Sequence, residues 1–255
     1  MKKCSVVIIT HNEEKNIEKC LQSVEGIADE IVVIDSFSTD GTKNICLAYG
    51  VRFIQHAFEG YIEQKNFALA QAGNDYVLSL DADEAIDEIL KQHILAEKQQ
   101  GFGYDAYEMN RCNYFCGRWI RHGSWYPDRK TRLINRQKAS WGGTNPHDKL
   151  ILQAPATLKR LTGDILHYTY YTLEELAAQT NRFTTIQATA MFNENKKGGY
   201  LKLCFNPLAA FISGYFIKRG FLDGYDGFVI ARSVAYSTML KYAKLMHLWR
   251  NAPRA

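Results

Sequence analysis

Three short polar clusters in this chain carry residue types and spacings suited to chemistry. Asp81-Ala82-Asp83 sets two carboxylates one small residue apart. Such a pair suits a hard divalent cation, Mg2+ or Mn2+, that shares its other positions with substrate phosphates. The short Ala82 leaves room for a nucleotide. Asp35-Ser36-Phe37-Ser38-Thr39-Asp40-Gly41-Thr42 is the second cluster. Asp35 can accept a hydrogen bond from a nucleobase imide, whereas Asp40-Gly41 suits a tight turn that caps the next helix. Thr10-His11-Asn12-Glu13 is the third, with polar groups for a base and a ribose. Lys65 stands near the start of an expected helix, where the dipole disfavours a cation and a bound phosphate would relieve it.

Strands and helices must bring these clusters together. Residues 4–10 (CSVVIIT) and 30–35 (EIVVID) read as buried parallel strands, and 51–55 and 75–80 as two more. Between them, Ile17, Cys20, Leu21 and Val24 recur at helical spacing. Helices are also expected up to Gly50 and over residues 64–72. The alternation predicts an α/β fold, a mostly parallel sheet with helices on both faces. Ligand groups in such sheets gather at the carboxyl ends of the strands. Three of the four expected strands end there in the polar clusters.

Beyond Asp83 the pattern loosens. Residues 86–100 and 173–193 read as helices, and 106–109 and 131–135 as strands. An aromatic, basic, glycine-containing stretch fills 114–132. Lys196-Lys197-Gly198-Gly199 reads as a break between a body of residues 1–195 and a helical extension of residues 196–255. The net charge of +4 is unevenly divided: residues 196–255 hold ten Lys or Arg against Asp223 and Asp226. A basic tail on a mildly acidic body points to an anionic partner. The N-terminal apolar run is too short for a secretory signal, and six scattered cysteines suit a reducing, cytoplasmic setting.

The clusters together resemble the family 2 glycosyltransferases with the GT-A (Rossmann-like) fold, over roughly the first 170 residues. The resemblance implies that Thr10, His11, Asn12, Glu13, Asp35, Ser38, Asp40, Lys65, Asp81 and Ala82 contact a nucleotide-sugar. It implies a divalent cation at Asp81, Asp83 and the late His167. Longer strings are similar to the subgroup that builds bacterial lipopolysaccharide core. These are Phe58-Glu59-Gly60-Tyr61 with Gln64-Lys65-Asn66, Gly117-Arg118-Trp119-Ile120-Arg121-His122-Gly123, Trp125-Tyr126-Pro127-Asp128 and Gly220-Phe221-Leu222-Asp223-Gly224.

An inverting transferase needs a base for the acceptor hydroxyl. Asp148 and Asp128 are the candidates, with Asp148 preferred because His147-Asp148 stands where the subgroup usually has His-Glu. Asp128 could instead pair with Arg129 or Arg132. Arg121, Arg129 and Arg132 suit phosphate or an anionic acceptor, and Trp119, Trp125, Tyr126 and Trp141 suit sugar stacking or a core.

The expected reaction moves a hexose from a UDP- or ADP-linked donor to a glycolipid or lipopolysaccharide-core acceptor. A polyprenyl-phosphate or polysaccharide transferase is the near alternative, and a non-catalytic membrane adaptor the distant one. A nucleotidyltransferase would usually show a glycine-rich loop, and residues 10–15 have no glycine. Residues 203–217 are uncharged and broken by Pro207 and Gly214, shorter than a usual span of about 20. Phe205, Leu208, Phe211, Ile212, Tyr215 and Phe216 are expected to face lipid. The extension is therefore expected to associate with the inner face of an anionic membrane, peripherally. A nucleic-acid partner is not expected, because no such motif is present.

Overall fold

Four largely apolar runs form the centre of the first unit. They are β1 (Cys4–Thr10), β2 (Glu30–Asp35), β3 (Arg52–Gln55) and β4 (Tyr76–Asp81). The order is β3-β2-β1-β4, and every pair is parallel. Connecting helices are α1 (Ile17–Ser23), α2 (Thr42–Ala48) and α3 (Tyr61–Gln71). Alternate β1 side chains go to opposite faces. Val6 and Ile8 pack with Ile17, Cys20 and Leu21, while Val7 packs with Ala68 and Leu69 of α3. Thr10 lies opposite Asp35, and Ile9 opposite Asp81, so the three strand tips end side by side.

The computed structural model describes residues 2–144 and 147–252. It divides into two units, Met1–Arg111 with Asp128–Tyr168, and Cys112–Pro127 with Thr169–Ala255.

The remaining strands make the sheet mixed. After β4 the chain turns at Ala82–Asp83 into β5 (Glu84–Ile86), then α4 (Glu88–Gln99). The helix expected from residue 86 thus starts later, where the Asp87 carboxylate accepts from the Leu90 amide at 2.7 Å. Next come β6 (Ala106–Phe115), β7 (Arg118–Ile120), β8 (Asp128–Asn135), β9 (Ala139–Thr144), β10 (His147–Leu152) and β11 (Leu158–Tyr170). The sheet continues β4-β8-β6-β11-β5, with β8 antiparallel to β4 and β6, and β5 antiparallel to β11. The expected parallel order therefore holds for β1 to β4. Beyond them, strands that return without a helical crossover pair antiparallel. β9 and β10 form a separate two-stranded sheet.

In the second unit, α5 (Leu173–Asn193) begins at a Thr172/Glu175 capping box. α6 (Tyr200–Ile212) runs into a π-helical turn, and α7 (Gly224–Asn251) follows a 3-10 turn. Phe115, Ile120, Leu176 and Ile230 form its core. The expected break at residues 196–199 separates α5 from α6 and lies inside this unit.

Candidate functional site

The second and third polar clusters interlock. Asn12 adopts a left-handed conformation, φ 55°. Its amide donates to Ser38 Oγ at 2.8 Å, and its side-chain oxygen accepts from the Thr39 amide at 2.8 Å. Glu13 N donates to Thr42 Oγ1 at 2.8 Å, and Glu14 N to Asp40 at 3.1 Å. His11 Nδ1 lies 3.0 Å from the Ser36 carbonyl. Asp35 is fully buried, and its carboxylate accepts from the Ser38 amide (3.0 Å), the Ser38 hydroxyl and Gln55 (3.3 Å). Its role in the structure is to shape the loop. Asp40 likewise accepts from Thr42 N at 3.0 Å, the turn function expected of it.

Asp81 is the hub of a buried ion network. Lys65 Nζ, on α3, lies 3.1 Å from Asp81 and 2.9 Å from Asp148 of β10. Arg132 of β8 reaches Asp81 at 3.1 Å and Glu84 at 2.8 Å. Burial opposes ionisation of Asp81, but the adjacent Lys65 and Arg132 charges outweigh it and hold its carboxyl well below the usual range. For Arg132, burial also opposes the charge, and Glu84 and Asp81 more than restore it. Lys65 Nζ also stands 4.5 Å from the Trp141 ring centre. Ala82 is buried in the core, and its amide donates to the Ile9 carbonyl at 3.1 Å.

Asp83 faces His167 of β11, with Nε2 3.2 Å from Oδ2. Glu13 belongs to the same neighbourhood. Burial chiefly, then the nearby Asp83 and Asp40, push its carboxyl up to about 7, against Asn16 and His167. Among the described residues no group of three or more His, Cys, Asp or Glu is arranged as a complete metal cage. Asp83 and His167 nevertheless fit a cation that takes one or two protein ligands and completes its shell from substrate phosphates.

Asp128 sits elsewhere on β8. Its carboxylate takes Arg111 at 2.8 Å and Lys130 at 3.1 Å, not Arg129 or Arg132 as anticipated. The cross-strand register explains this, because Arg111 is the direct neighbour of Asp128. Arg129 is exposed on the same strand. Arg121 and Trp125 belong to the second unit. There Trp125 packs against Phe115 and Tyr170, with ring centres 5.8 and 5.6 Å apart.

A family model, Glycosyl transferase family 2, matches residues 5–157, which contain every residue of the Asp81 network. The chain belongs to this family. An uncharacterized glycosyltransferase of Rickettsia typhi is 32% identical, over 97% of this chain and 88% of its own. The lipopolysaccharide core biosynthesis glycosyltransferase LpsC of Rhizobium meliloti is 30% identical, over 94% and 91%. A crystal structure of S. aureus TarS 1-349 in complex with UDP-GlcNAc has 16% identity and TM-score 0.47, covering 97% and 91%. The family match and the two relatives make the protein a glycosyltransferase, and its mixed sheet with flanking helices is the GT-A arrangement expected from the sequence.

Two features of this glycosyltransferase escape a reading of its sequence. Glu84 is fully buried; it accepts from the Asp81 amide at 3.1 Å and orients Arg132. The acid following Asp-x-Asp, with Arg132 later in the chain, was the available signal. The second is what Gln64 and Asn66, on either side of Lys65, hold: each reaches a different element. Gln64 donates to Ser36 Oγ at 3.0 Å. Asn66 clamps the Trp141 backbone, donating to its carbonyl and accepting from its amide, both at 2.9 Å.

Proposed function

We propose that this glycosyltransferase moves a hexose, with inversion, from a UDP- or ADP-linked donor to a hydroxyl of a glycolipid or lipopolysaccharide-core acceptor. Similarity to LpsC supports the acceptor class. The observation that carries the mechanism is the buried Lys65 ammonium shared by Asp81 and Asp148, 3.1 and 2.9 Å away. It puts an acceptor-side carboxylate next to the Asp-x-Asp turn. Asp148 takes the proton of the acceptor hydroxyl as that oxygen bonds to the anomeric carbon. The bond from that carbon to the diphosphate breaks, and its electron pair leaves with the nucleotide. Asp128, paired with Arg111 and Lys130, is the weaker candidate for this step.

Asp83 and His167, with Asp81 beside them, are the residues that would hold a divalent cation. Bound there, it would neutralise charge growing on the leaving diphosphate. The loops of Asn12, Ser38 and Asp40 are read as the nucleotide platform. Thr10 and Ala82 form its floor at the strand tips. The acceptor class and the basic C-terminal segment favour work at the inner face of an anionic membrane.

Asp148→Asn tests the base. Transfer should fall by about a thousandfold while donor affinity, read by titration calorimetry, is kept. Full transfer by this variant with a dead Asp128→Asn would exchange the two roles. Turnover unaffected by EDTA would remove the cation.

A further inference from the structure

We propose that the second unit docks on an anionic lipid surface through the turn that joins α6 to α7, with residues 117–123 latched beside it. This deepens the membrane part of the proposed function and rests on that part.

The turn holds Phe216, Ile217, Phe221, Leu222 and Tyr225 in solvent, with Ile217 and Tyr225 73% and 74% exposed. Five large apolar side chains exposed within ten residues are uncommon on a soluble monomer without a use for them. Phe211 and Tyr215, also expected to face lipid, are half-buried and stack on each other with ring centres 5.5 Å apart. The turn itself is tightly built. The Asp223 carboxylate accepts from the amides of Arg121 (3.2 Å) and His122 (2.8 Å), and His122 Nδ1 stands 2.9 Å away. Gly123 N donates to the Lys218 carbonyl at 2.9 Å. A Cβ on Gly220 would come within 2.7 Å of the Gly214 carbonyl, and one on Gly227 would strike that of Gly220. The apolar side chains therefore have little freedom to fold back.

Charge selects the occupant. Arg118, Arg121, Lys218 and Arg219 are all exposed on these two segments. The acids nearby are taken up locally: Asp223 meets His122 and Asp226 meets Arg118 at 3.5 Å, their side chains 12% and 16% exposed, while the Arg118 side chain stays 65% exposed. A second copy of this chain would set cation against cation. Anionic headgroups satisfy the cations while acyl chains accept the apolar tips. The surface continues along α6 at Leu201, Phe205, Leu208 and Ile212, one helical turn apart. The segment Tyr200–Ile217 is apolar and only 6% buried.

Flotation with phosphatidylcholine vesicles containing about one-third phosphatidylglycerol tests this on the full chain. Wild type should bind, and pure phosphatidylcholine should bind it less. Arg118→Glu/Lys218→Glu/Arg219→Glu should lose about a hundredfold in partitioning, with its circular dichroism and donor affinity kept. Ile217→Ser/Leu222→Ser should lose the binding that survives high salt. No wild-type binding to anionic vesicles would overturn the membrane reading itself. Wild-type binding with an unaffected triple variant would overturn only the assignment to this turn. A concentration-dependent dimer without vesicle binding would make a second copy the occupant.

Discussion

Asn12, Ser38, Thr39 and Asp40 tie the loops after β1 and β2, proposed above as the nucleotide platform, together through several side-chain-to-backbone hydrogen bonds. The β9–β10 hairpin carries Asp148 and lies outside the nine-stranded sheet. Its polar anchors come from two consecutive side chains of α3, Asn66 on the Trp141 backbone and Lys65 on Asp148. One region is redundant; the other has two polar anchors beside an apolar face where Ala139, Trp141, Leu150 and Leu152 pack with Ala68 and Leu69. Loss of one bond in the first leaves the others in register. Loss of one in the second lets a candidate base move as a unit with its hairpin.

Lys65→Met should produce the largest effect. It leaves two carboxylates, Asp81 and Asp148, without the buried ammonium they share. Breaking such an arrangement from one side costs about 3–5 kcal/mol, so the melting temperature should fall by roughly ten degrees or more. Transfer should be lost in the fraction that stays folded. A variant as stable and as active as wild type would show that the hairpin does not depend on Lys65.

Asn66→Ala comes next and isolates the hairpin. Asn66 touches a backbone and no candidate ligand group, so donor affinity should be unchanged. Transfer should fall by about tenfold through kcat. Asn66→Asp keeps the acceptor for the Trp141 amide and should recover part of the loss. If Asn66→Ala weakens donor binding and transfer equally, the two regions are not separable in the way their bonding suggests.

Ser38→Ala should do less. Asp35 and the Asn12 amide each lose a partner, yet Asp35 keeps the Ser38 amide and Gln55, and Asn12 keeps Thr39. A net hydrogen bond is worth about 1 kcal/mol, which corresponds to a donor affinity weakened by about fivefold. A loss of several hundredfold would mean that the loops have no redundancy.

The redundant region was also the legible one. β1 and β2 are signalled by β-branched runs and β4 by a short apolar run, and the polar residues beyond them are neighbours in the chain. Residues 173–193, read as a helix, match α5. The roles of Glu84, Arg111 and Asn66 depend on partners far along the chain, brought close by antiparallel pairing and the hairpin. No local period encodes such contacts. Residues 112–127 are a further case. They belong with the C-terminal helices because Asp223, about a hundred residues later, takes their amides.

Glu13 affects stability rather than donor affinity, and it tests the electrostatics where the Asn12–Asp40 loops meet the Asp83–His167 pair. Its folded carboxyl titrates at about 7, above the ordinary 4.5, chiefly through burial and then through Asp83. A raised acid pKa means that the folded state binds the proton more tightly than the unfolded state. Stability therefore falls as pH rises between about 4.5 and 7, and above 7 the full penalty of the charged, partly buried group is present. For a partly exposed group that penalty is on the order of 1–2 kcal/mol. Glu13→Gln keeps a side-chain oxygen to accept from Asn16 and removes the ionisation. Its stability relative to wild type, from urea unfolding, should be similar at pH 5 and should exceed wild type by that amount at pH 8. If the two proteins show the same pH profile, Glu13 is ionised in the fold at no cost. The Asp83 side of the site would then be more open to water than the buried Asp81–Lys65–Asp148 side.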